Sequence, residues 1–465
     1  MANDISLGEW LSQAQRSMGG GYFGRASGPG NGYAFGQDFF RKQTYLQVAD
    51  TFTATYGKKV WDALNNKTVA FNAIKKVDWG PTVGWRLRTD RGPLGSGSTT
   101  GGRSRPVTET GALPTIDVSA YTGVYSYPKS IVSTFGVSLK GQAVSALEGG
   151  IGNQFAVEQE ACSRDHVKEI NEELMAGSAY LCSNNIGGNG VVIGGSASTG
   201  WGLVKHFKVG DTVSTSGNSD VAATVTSVST TDGHVHATSL VGADGTTVYI
   251  KSRAGVTSLD DICMNDEATV GGDTAGHTLV DVYNLTDRAT ATAPWAAAAG
   301  ASYNAGVGRA LSTTLIDSGI QTIRQNGGEP KLMITGLDQY DNFNQLLQAQ
   351  QRFVDVTDYI VGVGDERTYP GTRAGFQLAT YRGIPILPDP DTSIALSAAD
   401  VQLGSNFYIL DTDYLEMAVM YPTQYIENRD YFAANALVIR GMFVTMMEMR
   451  ALRLDVHYKI SDLNV

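Results

Sequence analysis

Between Thr380 and Tyr425 the chain limits its own folding choices more tightly than anywhere else. Pro385, Pro388 and Pro390 fall in the run Ile384-Pro385-Ile386-Leu387-Pro388-Asp389-Pro390. Each proline lacks an N–H and fixes φ, so neither a helix interior nor a central strand accepts three of them so close together. The run reads as an edge or terminal strand ending in a turn. Two apolar strands, Phe407–Leu410 and Leu415–Met420, follow it, separated by the turn Asp411-Thr412-Asp413. None of these side chains is reactive, so the stretch reads as framework.

At 465 residues the chain exceeds what one core usually holds, which points to two or three domains. Hydrophobic residues at 42% supply real cores, while 17% charged residues leave a weakly charged surface. Many of the 55 glycines cluster at Gly19–Gly36 and Gly92–Gly102, which suggests long ordered extensions. A net charge of −11 argues against a general nucleic-acid binder, though not against a protein that merely encloses nucleic acid. Cys162, Cys182 and Cys263 form no disulfide framework or metal pattern, which favours a reducing compartment. The N-terminal sequence carries no signal-peptide pattern. The apolar tract near the C-terminus is interrupted by Arg440 and Glu448, which argues against a membrane span.

Aromatics scattered through residues 1–40 imply an arm ordered against something else, and Tyr45, Val48, Phe52, Tyr56, Val60 and Leu64 predict a short helix over 41–66. Alternation at Val83, Trp85 and Leu87, then at Val107, Ile116, Val118 and Val124, predicts a long β-hairpin over 68–135 with a glycine-rich tip. Residues 137–176 carry the longest helical pattern, with a kink expected where Gly141, Gly149, Gly150 and Gly152 weaken its first half. Residues 183–280 turn to Gly, Ser, Thr and Val and predict an inserted all-β module. Helices over 309–326 and 338–353 flank a strand at Lys331–Thr335, and strands dominate from residue 406 onward.

Candidate chemistry is sparse. His234 and His236 share a face of a strand and could hold a metal; no third ligand is evident nearby, although His277 is a candidate, and two surface histidines are the plainer reading. Cys182 and Cys263 read as small buried residues, and His166 is a helix neighbour of Cys162 rather than its catalytic base. Gly95-Ser96-Gly97 lacks the lysine and following helix of a phosphate loop. Asp260-Asp261 and Asp365-Glu366 read as solvated acidic pairs. No catalytic, cofactor or metal site is expected.

One electrostatic pattern stands out. Arg86, Arg88, Arg91, Arg103 and Arg105 crowd the hairpin, while Glu158, Glu160, Asp165, Glu169, Glu172 and Glu173 crowd the helix. Arginine forks pair carboxylates bidentately, so a projecting basic hairpin is expected to meet the acidic helix of another copy.

The order of arm, short helix, long hairpin, long helix, mixed domain and β-rich C-terminus resembles the major capsid proteins of tailed viruses, with the α+β Hong Kong 97-type fold. Leu285-Thr286-Asp287-Arg288-Ala289-Thr290 with Ala293-Pro294-Trp295 resembles the family's passage after its spine helix. Leu311 to Asp317, then Gly327 to Thr335, resembles the helix and strand entering its A-domain, and Gln339-Tyr340-Asp341 with Gln351-Arg352-Phe353 fits the next helix. Tyr381-Arg382-Gly383-Ile384-Pro385-Ile386 resembles a further family strand. On that resemblance, 1–66 is the N-terminal arm, 67–136 the E-loop, 137–182 the P-domain spine helix, 183–280 an inserted domain, 281–405 mostly A-domain and 406–465 the return to the P-domain.

The resemblance implies a structural protein that assembles into hexamers and pentamers of an icosahedral shell around packaged double-stranded DNA, within the host cytoplasm. Positions 86–105 hold no lysine, so the isopeptide cross-link of some members is not expected. About eighty residues precede the hairpin, which favours a separate scaffold protein, beside a portal. Two rivals stand: an encapsulin-like shell enclosing protein cargo, and a β-rich carbohydrate-binding or adhesive protein.

Overall fold

The computed structural model describes residues 68–79, 84–90, 109–111, 119–145, 153–177, 179–184 and 190–193, then 204–265 and 280–348 with short breaks, 379–396, 402–428 and 437–465. The expected arm with its helix at 41–66, the hairpin tip, Asp365-Glu366 and His277 lie outside the described residues. Two compact units emerge. Among described residues the smaller takes those within 135–159 and 428–440, and the larger takes the rest.

Chain order begins with α1 (Val69–Ala73), β1 (Lys76–Asp78), and the hairpin β2 (Gly84–Asp90) and β3 (Ala120–Tyr125). Next come β4 (Lys129–Ser138), α2 (Leu139–Ser145) and α3 (Gln154–Leu174). The glycine-weakened helical pattern is thus two helices, with 146–152 outside the described residues. In the smaller unit, Phe135 and Phe155 lie with ring centroids 5.3 Å apart, and the Gly141 N–H donates to Ser138 Oγ at 3.0 Å.

The inserted segment supplies β5 (Ala179–Asn184), β6 (Gly190–Ile193), β7 (Thr212–Thr215), β8 (Asn218–Ser229), β9 (His234–Ala237) and β10 (Thr247–Ser252). They close into a barrel in the order β10-β5-β6-β9-β8-β7. Closure removes the free edges that an inserted sheet would otherwise expose. Val213, Ala223, Val225, Val235, Ala237, Val248 and Ile250 fill the interior.

After α4 (Leu259–Ile262) and β11 (Gly300–Ser302), Ser312 caps α5 (Thr313–Gln325) by accepting the Leu315 N–H at 3.3 Å. Then follow β12 (Leu332–Thr335), α6 (Leu337–Gln348), β13 (Thr380–Tyr381), β14 (Ile384–Pro388), β15 (Ile394–Leu396), β16 (Gln402–Ser405) and β17 (Phe407–Leu410). The chain closes with β18 (Leu415–Asn428), β19 (Val438–Ala451) and β20 (Tyr458–Ile460). One sheet runs β11-β20-β17-β12-β14-β13, and another β1-β18-β19-β4. The turn at Asp411-Thr412-Asp413 therefore hands the chain from the first sheet to the second.

The proline-rich strand corrects an expectation. β14 is not an edge strand: it pairs parallel with β12 and antiparallel with the two-residue β13. Backbone alternation resolves the conflict. The Ile386 N–H donates toward β13, to Ala379 O at 2.9 Å, so the nitrogen of Pro385 faces β12. There the paired register starts only at Met333↔Ile386, one residue later. The missing donor of Pro385 thus leaves no gap in the ladder.

Helix α3 buries Cys162, His166, Ile170 and Leu174, one stripe at four-residue spacing. His166 joins it to the second sheet: Ser133 Oγ on β4 lies 2.9 Å from Nδ1, and Thr445 Oγ1 on β19 lies 2.7 Å from Nε2. The turn after β14 holds α3 as well. Asn171 Nδ2 donates to Asp391 at 2.6 Å, Lys168 pairs with Asp391 at 2.5 Å, and Asp389 accepts the Ala70 N–H at 2.8 Å.

Glu448 on β19 is buried and accepts from the Thr257 N–H at 2.8 Å and the Met449 N–H at 3.1 Å. Burial raises its carboxyl to about 7, against the pull of those donors. The folded protein therefore binds this proton more tightly than the unfolded chain. The associated stability is fully present below the ordinary glutamate range and is lost as pH rises through 7. We expect Glu448→Gln to raise stability at pH 8 and to flatten stability against pH between 5 and 8, removing up to roughly 3 kcal/mol of that slope. Urea unfolding across that range measures it; an unchanged slope would refute the assignment.

Candidate functional site

The hairpin has two unlike faces. Trp85, Leu87 and Val124 turn into the main core, and Trp85 Nε1 donates to Leu452 O at 3.2 Å. Its ring meets Tyr283 edge-on with centroids 5.2 Å apart. Asn284 grips β3 from below, accepting the Tyr125 N–H at 2.9 Å and donating to Gly123 O at 3.2 Å. Strand alternation sends the other residues outward. Arg86 and Arg88 are exposed, opposite Gly123 and Tyr121 in the ladder. Tyr121 is 66% exposed, and Tyr125 and Tyr127 stand exposed with their rings 5.7 Å apart.

Arginine and tyrosine are the residues that interfaces concentrate. The tyrosines were not singled out in the sequence, although Tyr121, Gly123, Tyr125 and Tyr127 repeat at period two beside the arginines. Arg91, Arg103 and Arg105 lie outside the described residues.

The acidic helix divides by partner. Glu160 and Asp165 are exposed, and Glu160 pairs with Arg164 at 3.4 Å. Glu158 is half-buried. Glu172 lies 4.0 Å from Lys168. Glu169 pairs with Lys208 of the inserted segment, and Glu173 accepts the Val256 N–H at 3.2 Å where the chain leaves the barrel. Burial pushes the Glu173 carboxyl up, opposed by Lys208 and that N–H. Part of the acidic run thus fastens the barrel to its own helix.

Arg253 completes the fastening. It forms an ion pair with Asp261, and Nη2 donates to Gly177 O at 2.6 Å and Ala176 O at 3.3 Å. Nη1 reaches His206 O at 3.3 Å. One guanidinium therefore ties the strand that leaves the barrel to the segment that enters it and to α4. Asp211 adds a further link by accepting the Ala254 N–H at 2.8 Å.

Asp260 and Asp261, expected to be solvated, are both buried. Asp260 pairs with Lys459 at 2.5 Å and accepts from Tyr408 Oη at 2.7 Å. Asp261 forms a capping box with Ser258 at the start of α4. The correction has a local trace in the sequence, since Ser258-Leu259-Asp260-Asp261 is a helix-start pattern.

Little here suggests reactive chemistry. Ser133, His166 and Thr445 form a hydrogen-bonded chain, but hydroxyls occupy both imidazole nitrogens where a triad needs a carboxylate on one. Cys162 and Cys263 are buried, and burial raises the Cys263 thiol far above its ordinary value. The side chain of Cys182 lies outside the described residues. Among the described residues no three His, Cys, Asp or Glu side chains gather as a metal cage, and no helix is long and apolar enough to cross a membrane.

A family model described as SU10 major capsid protein matches residues 62–436. No protein with a curated description matches the chain. Among solved structures, the capsid asymmetric unit of Cyanophage A-1(L) aligns at 13% identity and TM-score 0.50, covering 88% of this chain and 96% of its own. A native GTA particle capsid aligns at 10% identity and TM-score 0.45, covering 88% and 94%. A holo encapsulin complex from Synechococcus elongatus PCC 7942 aligns at 8% identity and TM-score 0.38, covering 88% and 93%.

Proposed function

The chain belongs to the SU10 major capsid protein family, a component of the virion capsid built from many copies of itself with the Hong Kong 97-like fold, and from that premise we propose how it builds its shell. Copies gather into hexamers and pentamers of an icosahedral shell around double-stranded DNA. A separate scaffold protein and a portal guide assembly in the host cytoplasm. The hairpin serves as the E-loop, α3 as the spine of the P-domain, and the region around α6 as part of the A-domain. The barrel is an added domain, and the chain's role is structural rather than catalytic.

The observation that carries this reading is the two-sided hairpin: its inner face is bonded into the core while Arg86, Arg88, Tyr121 and Tyr125 stand outward with their charge and ring area uncovered. Glu160 and Asp165 offer the matching acidic surface on a neighbouring copy. Glu158 and Glu172 extend that acidic surface, whereas Glu169 and Glu173 are engaged within the subunit by Lys208 and the Val256 N–H.

Negative-stain electron microscopy of the purified chain tests the shell, expected as closed particles of uniform size. Monomers under every assembly condition would overturn it. Nuclease-protected DNA inside particles from infected cells is expected; protein cargo in its place would favour the encapsulin-like alternative.

A further inference from the structure

We infer that His234 and His236 on the barrel form a two-histidine chelating site for a borderline transition-metal ion such as Cu²⁺, Ni²⁺ or Zn²⁺. The barrel core sets their direction. Val235 and Ala237 are buried inside it, so the alternate positions 234 and 236 turn to the outer surface together. The two imidazoles stand stacked, with centroids 6.0 Å apart and planes 25° from parallel.

The platform beneath them is fixed on both sides. Val235 is held in register with Val191 of β6 and Val228 of β8, and Thr226 Oγ1 donates to His236 O at 3.1 Å. Opposite His236 in the β6 ladder sits Gly190, which brings no side chain against the ring. Imidazole nitrogen binds these ions at about 2.0–2.1 Å, a reach that rotation of two rings on one strand face can meet at a shared point. Two nitrogens from a rigid strand pre-organise half of a four-coordinate shell. Among the described residues no third ligand joins them, which leaves the remaining positions to water or to an outside donor.

Cu²⁺ is the most sensitive probe, because it binds nitrogen ligands most tightly of the divalent first-row ions. Electron paramagnetic resonance of the full-length chain with one equivalent of Cu²⁺ is expected to show a type-2 signal with two imidazole nitrogens. His236→Asn is expected to reduce it to one, and the pair His234→Asn/His236→Asn to remove the site while circular dichroism stays unchanged. Cu²⁺ on the wild-type chain with fewer than two imidazole nitrogens would overturn the assignment without reference to any variant. So would a folded double variant that keeps the wild-type spectrum.

Discussion

Reversing the charge of Arg86 and Arg88 to Glu should abolish closed particles while leaving the monomer folded. Both side chains are exposed and face away from the core, so the folded subunit loses no buried pair when they change. Surface charges of this kind contribute about 0–1 kcal/mol to folding. In an assembly the same two charges repeat at every copy of the contact. A like charge placed against Glu160 and Asp165 of a neighbour then costs several kcal/mol per contact, by the order of magnitude seen where like charges meet across interfaces. Light scattering and electron microscopy give the readout, with circular dichroism as the folding control. Normal shells from a folded double variant would refute the hairpin–helix contact. A companion variant, Glu160→Arg with Asp165→Arg, should block assembly alone and restore some of it when combined with the reversed hairpin.

Arg253→Ala should cost the larger unit on the order of 3–5 kcal/mol, because it strands a buried carboxylate. Asp261 is 1% exposed on its side chain and Arg253 only 7%, so the pair is shielded from bulk water. Three backbone carbonyls, of Ala176, Gly177 and His206, lose their donor in the same step. These groups are where the barrel joins the chain before and after it. Calorimetry is therefore expected to resolve barrel unfolding from the rest of the unit, with proteolysis rising at the two junctions. A loss below about 1 kcal/mol with a single transition would mean the barrel is held chiefly by other contacts, such as Lys208 with Glu169.

These two expectations separate what is readable locally from what is not. Trp85 and Leu87 alternate with Arg86 and Arg88, and a strand with that pattern has one apolar and one basic face wherever it sits. The same logic made 212–252 legible as short strands, and it places His234 beside His236. Helix α3 was legible from its stripe. The capsid family was legible because the order of such elements is itself a pattern.

The partners of the charged residues were not legible, because they are chosen across long stretches of chain. Six acidic residues on one helix look alike in sequence. The fold exposes Glu160 and Asp165, pairs Glu169 with Lys208 across 39 residues, and presses Glu173 against the exit of the barrel. Asp260 and Asp261 looked solvated and are buried against Lys459 and Arg253.

The proline run shows the division most clearly. By itself the sequence determined that Ile384–Pro390 is a short strand ending in a turn, since ring closure and the lost N–H act within each residue. Only the tertiary structure decided that this strand has a neighbour on each side, and that its turn, through Asp389, takes the Ala70 N–H from 319 residues away. Covalent geometry is local, but the cost of burying a charge or a donor is settled by whatever the fold brings beside it.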